Sequence, residues 1–136
     1  MSQVQVNVDG GARGNPGPAA IGVVLRDGDG TVLEEVGETI GEATNNVAEY
    51  KALLRGIELA ATHGATDLEL IGDSELVVRQ VEGKYKVKNA GMKELHEEAK
   101  RALRGFDSWS IRHVGRADNA DADRLVNEAL DGVLNG

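Results

Sequence analysis

Apolar and polar positions change period several times along the chain. Val4, Val6 and Val8 alternate with Gln5, Asn7 and Asp9, the pattern of a strand with one buried face that ends on an acid. Gly10 to Pro18 is rich in glycine and proline and reads as a loop. Ile21–Leu25 and Val32–Ile40 read as two further strands, with Asp27-Gly28-Asp29-Gly30 as the hairpin turn between them. From Asn46 to about His63 the period becomes helical: Val47, Tyr50, Leu54, Ile57 and Ala61 recur every three or four residues, and Gly64 stops the run. Asp67–Gly72 is a short apolar strand and Ser74–Glu82 a short helix, followed by the lysine-bearing stretch from Gly83 to Asn89. Met92–Leu103 is helical, Ser108–Val114 is a last strand, and Ala122, Leu125, Val126, Ala129, Leu130 and Val133 stripe a final helix. The order β-β-β-α-β-α-α-β-α puts hairpin-linked strands first and strands joined through helices last. Such an order predicts an α/β fold, a mixed sheet with helices on its faces.

Composition narrows the class. A chain of 136 residues with no repeat or linker is expected to be one domain, 1–136. Aromatic residues are only 3%, so Val, Leu, Ile and Ala must build the core. No stretch approaches the ~20 apolar residues of a membrane helix, and the polar start is unlike a signal peptide. Cysteine is absent, which excludes a disulfide scaffold, a thiolate metal site and a cysteine nucleophile, and fits a cytoplasmic protein. The formal net charge is −8, so a nucleic-acid partner would have to be held by local residues rather than by an overall basic surface.

Acids stand at the junctions between elements. Asp9 ends the first strand, Glu49 lies in the first turn of the first helix, Asp73 sits between the fourth strand and its helix, and Asp123 opens the last helix. Each has a plain structural reading: Asn46 and Glu49 have capping-box spacing, Asp73 suits an N-cap, and Asp121 and Asp123 answer a helix dipole. Together they suggest convergence at one edge of the sheet, which a cation would make tolerable. Oxygen ligands without His or Cys suit Mg²⁺ or Mn²⁺.

The surrounding motifs are more specific. The stretch from Asp9-Gly10-Gly11-Ala12-Arg13-Gly14-Asn15 to Pro18 resembles the opening motif of type 1 ribonuclease H. Thr44-Asn45-Asn46-Val47-Ala48-Glu49 resembles that family's second motif and Asp73-Ser74-Glu75 its third. The run from Arg116 through Asn119, Ala122 and Asp123 to Leu125 is similar to the fourth, R-x-x-N-x-x-A-D-x-L. The motifs occur in family order and span essentially the whole chain.

The resemblance implies a ribonuclease H-like fold, a five-stranded mixed sheet in order 3-2-1-4-5 flanked by helices. It implies an endonuclease that cuts the RNA strand of RNA–DNA hybrids and leaves 5′-phosphate and 3′-hydroxyl ends. Asp9, Glu49, Asp73 and Asp123 would hold two Mg²⁺ ions, with Mn²⁺ as an alternative, in an in-line displacement. Asp9 would bridge the ions, and Glu49 would also accept from the 2′-hydroxyl that separates RNA from DNA. Asn15, Thr44, Asn45, Asn46 and Ser74 carry over as neutral contacts to phosphate or sugar. Glu75 stands where many members have Gln. The long basic protrusion of bacterial members is reduced here to a segment with Lys84, Lys86, Lys88 and Asn89, in which Tyr85 is available to stack. The loop His of bacterial relatives is absent, and Arg116 stands nearest. His113 alternates with Trp109 and Ile111 and reads as strand packing, whereas His63 and His96 read as surface positions. The expected molecule is a monomer. Two other readings retain the fold: activity on double-stranded RNA as well, or a nuclease-dead hybrid-binding module. Retention of all four acids counts against the second.

Overall fold

The computed structural model of the chain describes residues 2–135, with side chains through Gly132. Five strands and four α-helices follow the predicted order: β1 Gln3–Ala12, β2 Gly17–Asp27, β3 Val32–Ala43, α1 Asn45–Thr62, β4 Asp67–Gly72, α2 Glu75–Glu82, α3 Ala90–Leu103, β5 Ser108–His113 and α4 Ala120–Asn135. The sheet runs β3-β2-β1-β4-β5. β1–β2 and β2–β3 are antiparallel, whereas β1–β4 and β4–β5 are parallel, as hairpin and crossover connections respectively require.

The alternation at the start of the chain has the anticipated result. Val4, Val6 and Val8 are buried in the main core with Ile21, Val23, Leu25, Leu53 and Ile57. α1 packs against that face and against α3, α2 contacts β5, and α4 lies across β2, β3 and β1 on the other face. The side chain of Val133, the last position of the predicted apolar stripe in α4, lies outside the described residues.

Three local features differ from the sequence reading. The ladder does not end at Asp9: Gly10, Gly11 and Ala12 pair with Ile21, Ala20 and Ala19, so the predicted nine-residue loop shrinks to Arg13–Pro16. Glycine weakens a strand interior and so hides this extension in the sequence; here pairing with β2 satisfies its backbone. A 3₁₀ turn, Arg116–Asn119, precedes α4 and carries no apolar periodicity that would betray it. His96 is half-buried, its ring set edge-on against buried Tyr50 with centroids 6.3 Å apart. It is a packing residue, not a surface one.

Glycine sets two close approaches that matter for the site. A Cβ at Gly10 would collide with the Ala48 carbonyl, so α1 can lie directly on the end of β1. A Cβ at Gly22 would collide with the Ala122 carbonyl, so α4 lies equally close on β2. The residues that follow Ala48 and Ala122 are Glu49 and Asp123.

Candidate active site

The end of β1, the start of α1, the β4–α2 junction and the first turn of α4 surround one cavity of about 390 Å³. Asp9, Glu49, Asp73 and Asp123 all line it, together with Arg13, Asn45, Asn46, Ser74, Arg116 and Asn127. Asp9, Glu49 and Asp73 each offer a carboxylate oxygen, and these atoms lie within 4.8 Å of one another. Asp123 lies outside that close group. One of its oxygens is 3.6 Å from the Arg116 guanidinium, and the other accepts from Asn127 Nδ2 at 3.4 Å. The expected convergence of four acids is therefore three in contact and one on the facing wall, because α4 presents Asp123 to its own cationic and amide neighbours.

The plainer roles of the acids do not materialise for Glu49 and Asp73. The N-cap of α1 is Thr44, whose Oγ1 accepts from Val47 N at 3.2 Å, so Asn46 and Glu49 form no capping box. Glu49 turns inward, is 9% exposed, and accepts from Gly10 N at 3.0 Å. Likewise Ser74, not Asp73, caps α2 by accepting from Val77 N at 3.3 Å. Asp73 remains free to face Asp9. Asp121 and Asp123 do sit in the first turn of α4, where a helix dipole favours them.

The electrostatics of the cluster are unfavourable by themselves. Burial raises the Asp9 carboxyl past neutrality, and the adjoining Glu49 and Asp73 push it further. Burial also raises Glu49, while its contact with Asp9 and the Gly10 N–H oppose the rise. Burial of both carboxyls beside Asp73 means that the Asp9–Glu49 pair holds on to a proton more strongly than two separate carboxylates would. Hard oxygen donors crowded in a half-buried cavity, with no nitrogen or sulfur among them, fit a divalent cation such as Mg²⁺.

The remaining predicted residues separate into three groups. Asn45, Asn46, Ser74 and Arg116 line the cavity. Asn15 and Thr44 do not line it but make local bonds: Thr44 caps α1, Asn15 Oδ1 accepts from Asn45 N at 3.0 Å, and Asn45 Oδ1 accepts from Ala12 N at 2.8 Å, tying the β1–β2 connection to α1. Lys84, Lys86, Lys88 and Asn89 lie beyond the far end of α2, away from the acids. Asn89 caps α3 by accepting from Met92 N at 3.1 Å. Tyr85 is 45% exposed, so its ring face is accessible.

Two contributors were not singled out from sequence. Arg13 lines the cavity and pairs with Asp131 at 2.8 Å. Its position inside the opening motif was the available signal. Asn119, 1% exposed, donates to the Val8 carbonyl at 2.9 Å and accepts from Asn7 Nδ2 at 3.0 Å. Arg26 then bridges Asn7 (2.8 Å) and Asp121 (2.7 Å). This network holds the 3₁₀ turn and the start of α4 to the strand that carries Asp9; the place of Asn119 in the fourth motif was its signal in the sequence, and its partners are visible only in the structure.

Comparison with known proteins agrees with this architecture. The family model described as "Reverse transcriptase-like" matches residues 7–129. The chain is 51% identical over 129 residues to "Ribonuclease HI" of Halobacterium salinarum, covering 95% of this chain and 65% of that protein. It is 45% identical to the "Bifunctional protein Rv2228c" of Mycobacterium tuberculosis, with 95% of this chain and 36% of that one covered. The chain thus spans less than two-thirds of the length of these relatives. Among solved structures, LC11-RNase H1 in complex with an RNA/DNA hybrid superposes with a TM-score of 0.92 at 45% identity, covering 96% of this chain and 99% of that one.

Proposed function

The chain belongs to the ribonuclease H family, and from that premise we propose that it is an endonuclease for the RNA strand of RNA–DNA hybrids. The products are a 5′-phosphate and a 3′-hydroxyl. The observation that carries the reading is the trio Asp9, Glu49 and Asp73, whose oxygens approach within 4.8 Å at the end of the central strand. A module that only bound hybrids would have no use for so costly a cluster. The hybrid bound by LC11-RNase H1 supports the choice of substrate. The unit that does this is the single domain 1–136, acting as a monomer in the cytoplasm. Among the described residues, no helix is long and apolar enough to cross a membrane.

Asp9, Glu49 and Asp73, with Asp123 on the facing wall, would hold two Mg²⁺ ions, and Mn²⁺ satisfies the same donors. When bound, the ions supply Lewis acidity that activates water and stabilises the departing 3′-oxygen. The chain's own residues do the rest. Glu49 lines the cavity with one oxygen engaged by Gly10 N, which leaves the other as an acceptor for a 2′-hydroxyl. Asn45, Asn46 and Ser74 offer neutral polar groups to sugar and phosphate from the cavity wall. Arg116, 80% exposed, adds a positive charge beside Asp123; being always protonated, it steers and stabilises but takes no proton. Lys84, Lys86 and Lys88 give the duplex a second contact. The eight residues of α2, about 12 Å long at 1.5 Å per residue, separate the start of that segment from Ser74 on the cavity wall.

One gel tests the reading. Hybrid, duplex RNA and duplex DNA are incubated with Mg²⁺ and with chelator. Cleavage of the hybrid RNA strand alone, only with Mg²⁺, is expected. Cleavage of duplex RNA would broaden the substrate class, and no cleavage at all would leave a binding module.

A further inference from the structure

We infer that Gln80 is a positioning residue that sets where the Lys84–Lys88 segment stands, and hence how strongly the chain grips a hybrid; this rests on the reading that these lysines touch the substrate. Gln80 lies in the last turn of α2 and is only 4% exposed, yet both ends of its side chain are engaged. Its Oε1 accepts a short hydrogen bond from the hydroxyl of Tyr50, which is fully buried in α1 beside Glu49. Its Nε2 donates to the Lys86 carbonyl at 3.3 Å. The backbone carbonyl of the same residue meets His96 Nε2 of α3 at 3.1 Å. One residue thus joins the helix that carries Glu49, the lysine segment and the helix that follows it.

Besides Gln80, the middle of that segment has one apolar anchor, Val87, which is half-buried against the main core. Gly83 N, Lys84 N and Tyr85 N bond back to the end of α2, at Gln80 O and Arg79 O, and so fix only its first residues. Asn89 is fixed by capping α3. Between these points, among the described residues, Lys86 is tied by the Gln80 amide alone, and Lys84, Lys86 and Lys88 are all exposed or nearly so. A buried amide whose donor and acceptor are both used specifies a single geometry: the Lys86 carbonyl, which can only accept, requires the Nε2 end to face the loop, and the Tyr50 hydroxyl then donates to Oε1. The lysines are therefore presented to a duplex from a fixed backbone instead of a tether, which lowers the ordering cost of each phosphate contact.

Gln80→Met fills similar volume but removes both side-chain bonds. Because it leaves the Tyr50 hydroxyl unpaired, the double variant Tyr50→Phe/Gln80→Met serves as a companion in which that hydroxyl is no longer orphaned. Backbone order parameters by NMR in the free protein and steady-state cleavage of a defined RNA–DNA hybrid with Mg²⁺ are the two readouts. The expected result for both variants is a drop at Tyr85–Lys88 from the rigid range to below about 0.6. It comes with a roughly fivefold rise in KM, kcat within about twofold, and a shallower salt dependence of binding. Unchanged order parameters would overturn the inference. Lys84→Ala/Lys86→Ala/Lys88→Ala, measured alongside, separates the positioning role from the reading beneath it. If that variant leaves KM unchanged, the lysines do not touch the hybrid and the underlying reading fails. If it raises KM while Gln80→Met does not, the positioning role alone is refuted.

Discussion

Replacing Asp9 with Asn should make the protein more stable when no metal is present, although it should nearly abolish cleavage. Asp9 is 6% exposed, and its carboxyl is raised by burial first and by Glu49 and Asp73 second. In the unfolded chain it ionises near its ordinary value of 3.8. At pH 7 the folded state therefore either keeps a proton that the unfolded state has released or carries a buried, crowded charge. About three pH units separate the ordinary value from pH 7, and at 1.36 kcal/mol each they set an upper limit of about 4 kcal/mol on this penalty. An amide has the carboxyl's shape and no charge, and its N–H can donate to Glu49. It still needs partners of its own, so about half the limit, ~2 kcal/mol, is the expected gain. With an unfolding entropy of about 0.29 kcal/mol/K for a chain of this size, that corresponds to roughly 7 °C in Tm. The sign with pH follows from proton binding. The folded state binds more protons than the unfolded one between the two pKa values, so the wild type loses stability as pH rises above about 4. The advantage of the variant should grow from pH 4 to pH 7 and vanish near pH 4, where folded Asp9 is protonated and the unfolded state has begun to take up the same proton. Thermal melts with chelator at both pH values, then with millimolar Mg²⁺, measure this directly. Mg²⁺ should raise the wild type in proportion to occupancy and the variant much less. A variant that melts at or below the wild type at pH 7, or gains equally at both pH values, would refute the reasoning.

Other consequences can be checked with the same preparations. A cation held by these acids must displace the proton that burial and crowding keep on the cluster, so calorimetric titrations with Mg²⁺ should release about one proton near neutral pH, with affinity falling as pH is lowered; an enthalpy independent of buffer would contradict this. Lys84→Ala/Lys86→Ala/Lys88→Ala should raise KM more than it lowers kcat and reduce the log–log salt slope by about one unit for each phosphate no longer neutralised. Arg116→Ala should slow kcat roughly tenfold, less than removal of a buried donor would, because its side chain is 80% exposed; a larger effect from His113→Ala in a folded protein would reverse the two roles. Asn119→Ala leaves the Val8 carbonyl and the Asn7 amide without their partner and should cost about 1–3 kcal/mol in denaturant unfolding, with weakened Mg²⁺ stabilisation as Asp123 loses its support.

The sheet was legible because its signals are local. Val4-x-Val6-x-Val8 sets the buried face of β1, the turn at Asp27–Gly30 fixes the first hairpin, and helical segments between the later strands force parallel pairing. Glu49 and Asp73 were identifiable as acids at element starts, but sequence alone left them ambiguous between caps and ligands. The structure removes the capping role, because Thr44 and Ser74 already cap the helices. Asp123 was legible as a motif residue yet not as one held apart by Arg116 and Asn127, since an i,i+4 contact on α4 and a 3₁₀ turn depend on where that helix docks. The Asn7–Asn119–Arg26 network joins residues up to 112 positions apart, and polar residues in isolation carry no period that would pair them. His96 failed for the same reason: its helical position suits solvent, and only the arrival of Tyr50 from another helix buries it.

The net charge of −8 argued against a polyanionic partner, and the distribution of charge shows why that argument is weak here. β3 forms one edge of the sheet and carries Glu34, Glu35, Glu38 and Glu42. Three of these are occupied by side chains of flanking helices: Glu34 by His63, Glu35 by Arg124 and Glu38 by Arg55. Those pairs are largely exposed and contribute little stability each. Their acidity sits along an edge strand, where charge also discourages pairing with another chain beside exposed Val32 and Leu33. The lysine segment follows α2, which packs on β5 at the opposite edge. A duplex laid from the acid cavity towards Lys84–Lys88 runs away from β3, and screening confines each acid's influence to about 8 Å at physiological ionic strength. What a substrate meets is therefore local: cavity acids that a cation neutralises, then exposed lysines. Hybrid cleavage should accordingly tolerate Glu→Gln changes at Glu34 and Glu35, at the end of β3 remote from Asn45, with KM unchanged within about twofold, whereas the same number of charges removed from Lys84–Lys88 should not be tolerated. Equal effects from the two sets would mean that total charge, not its placement, governs the encounter.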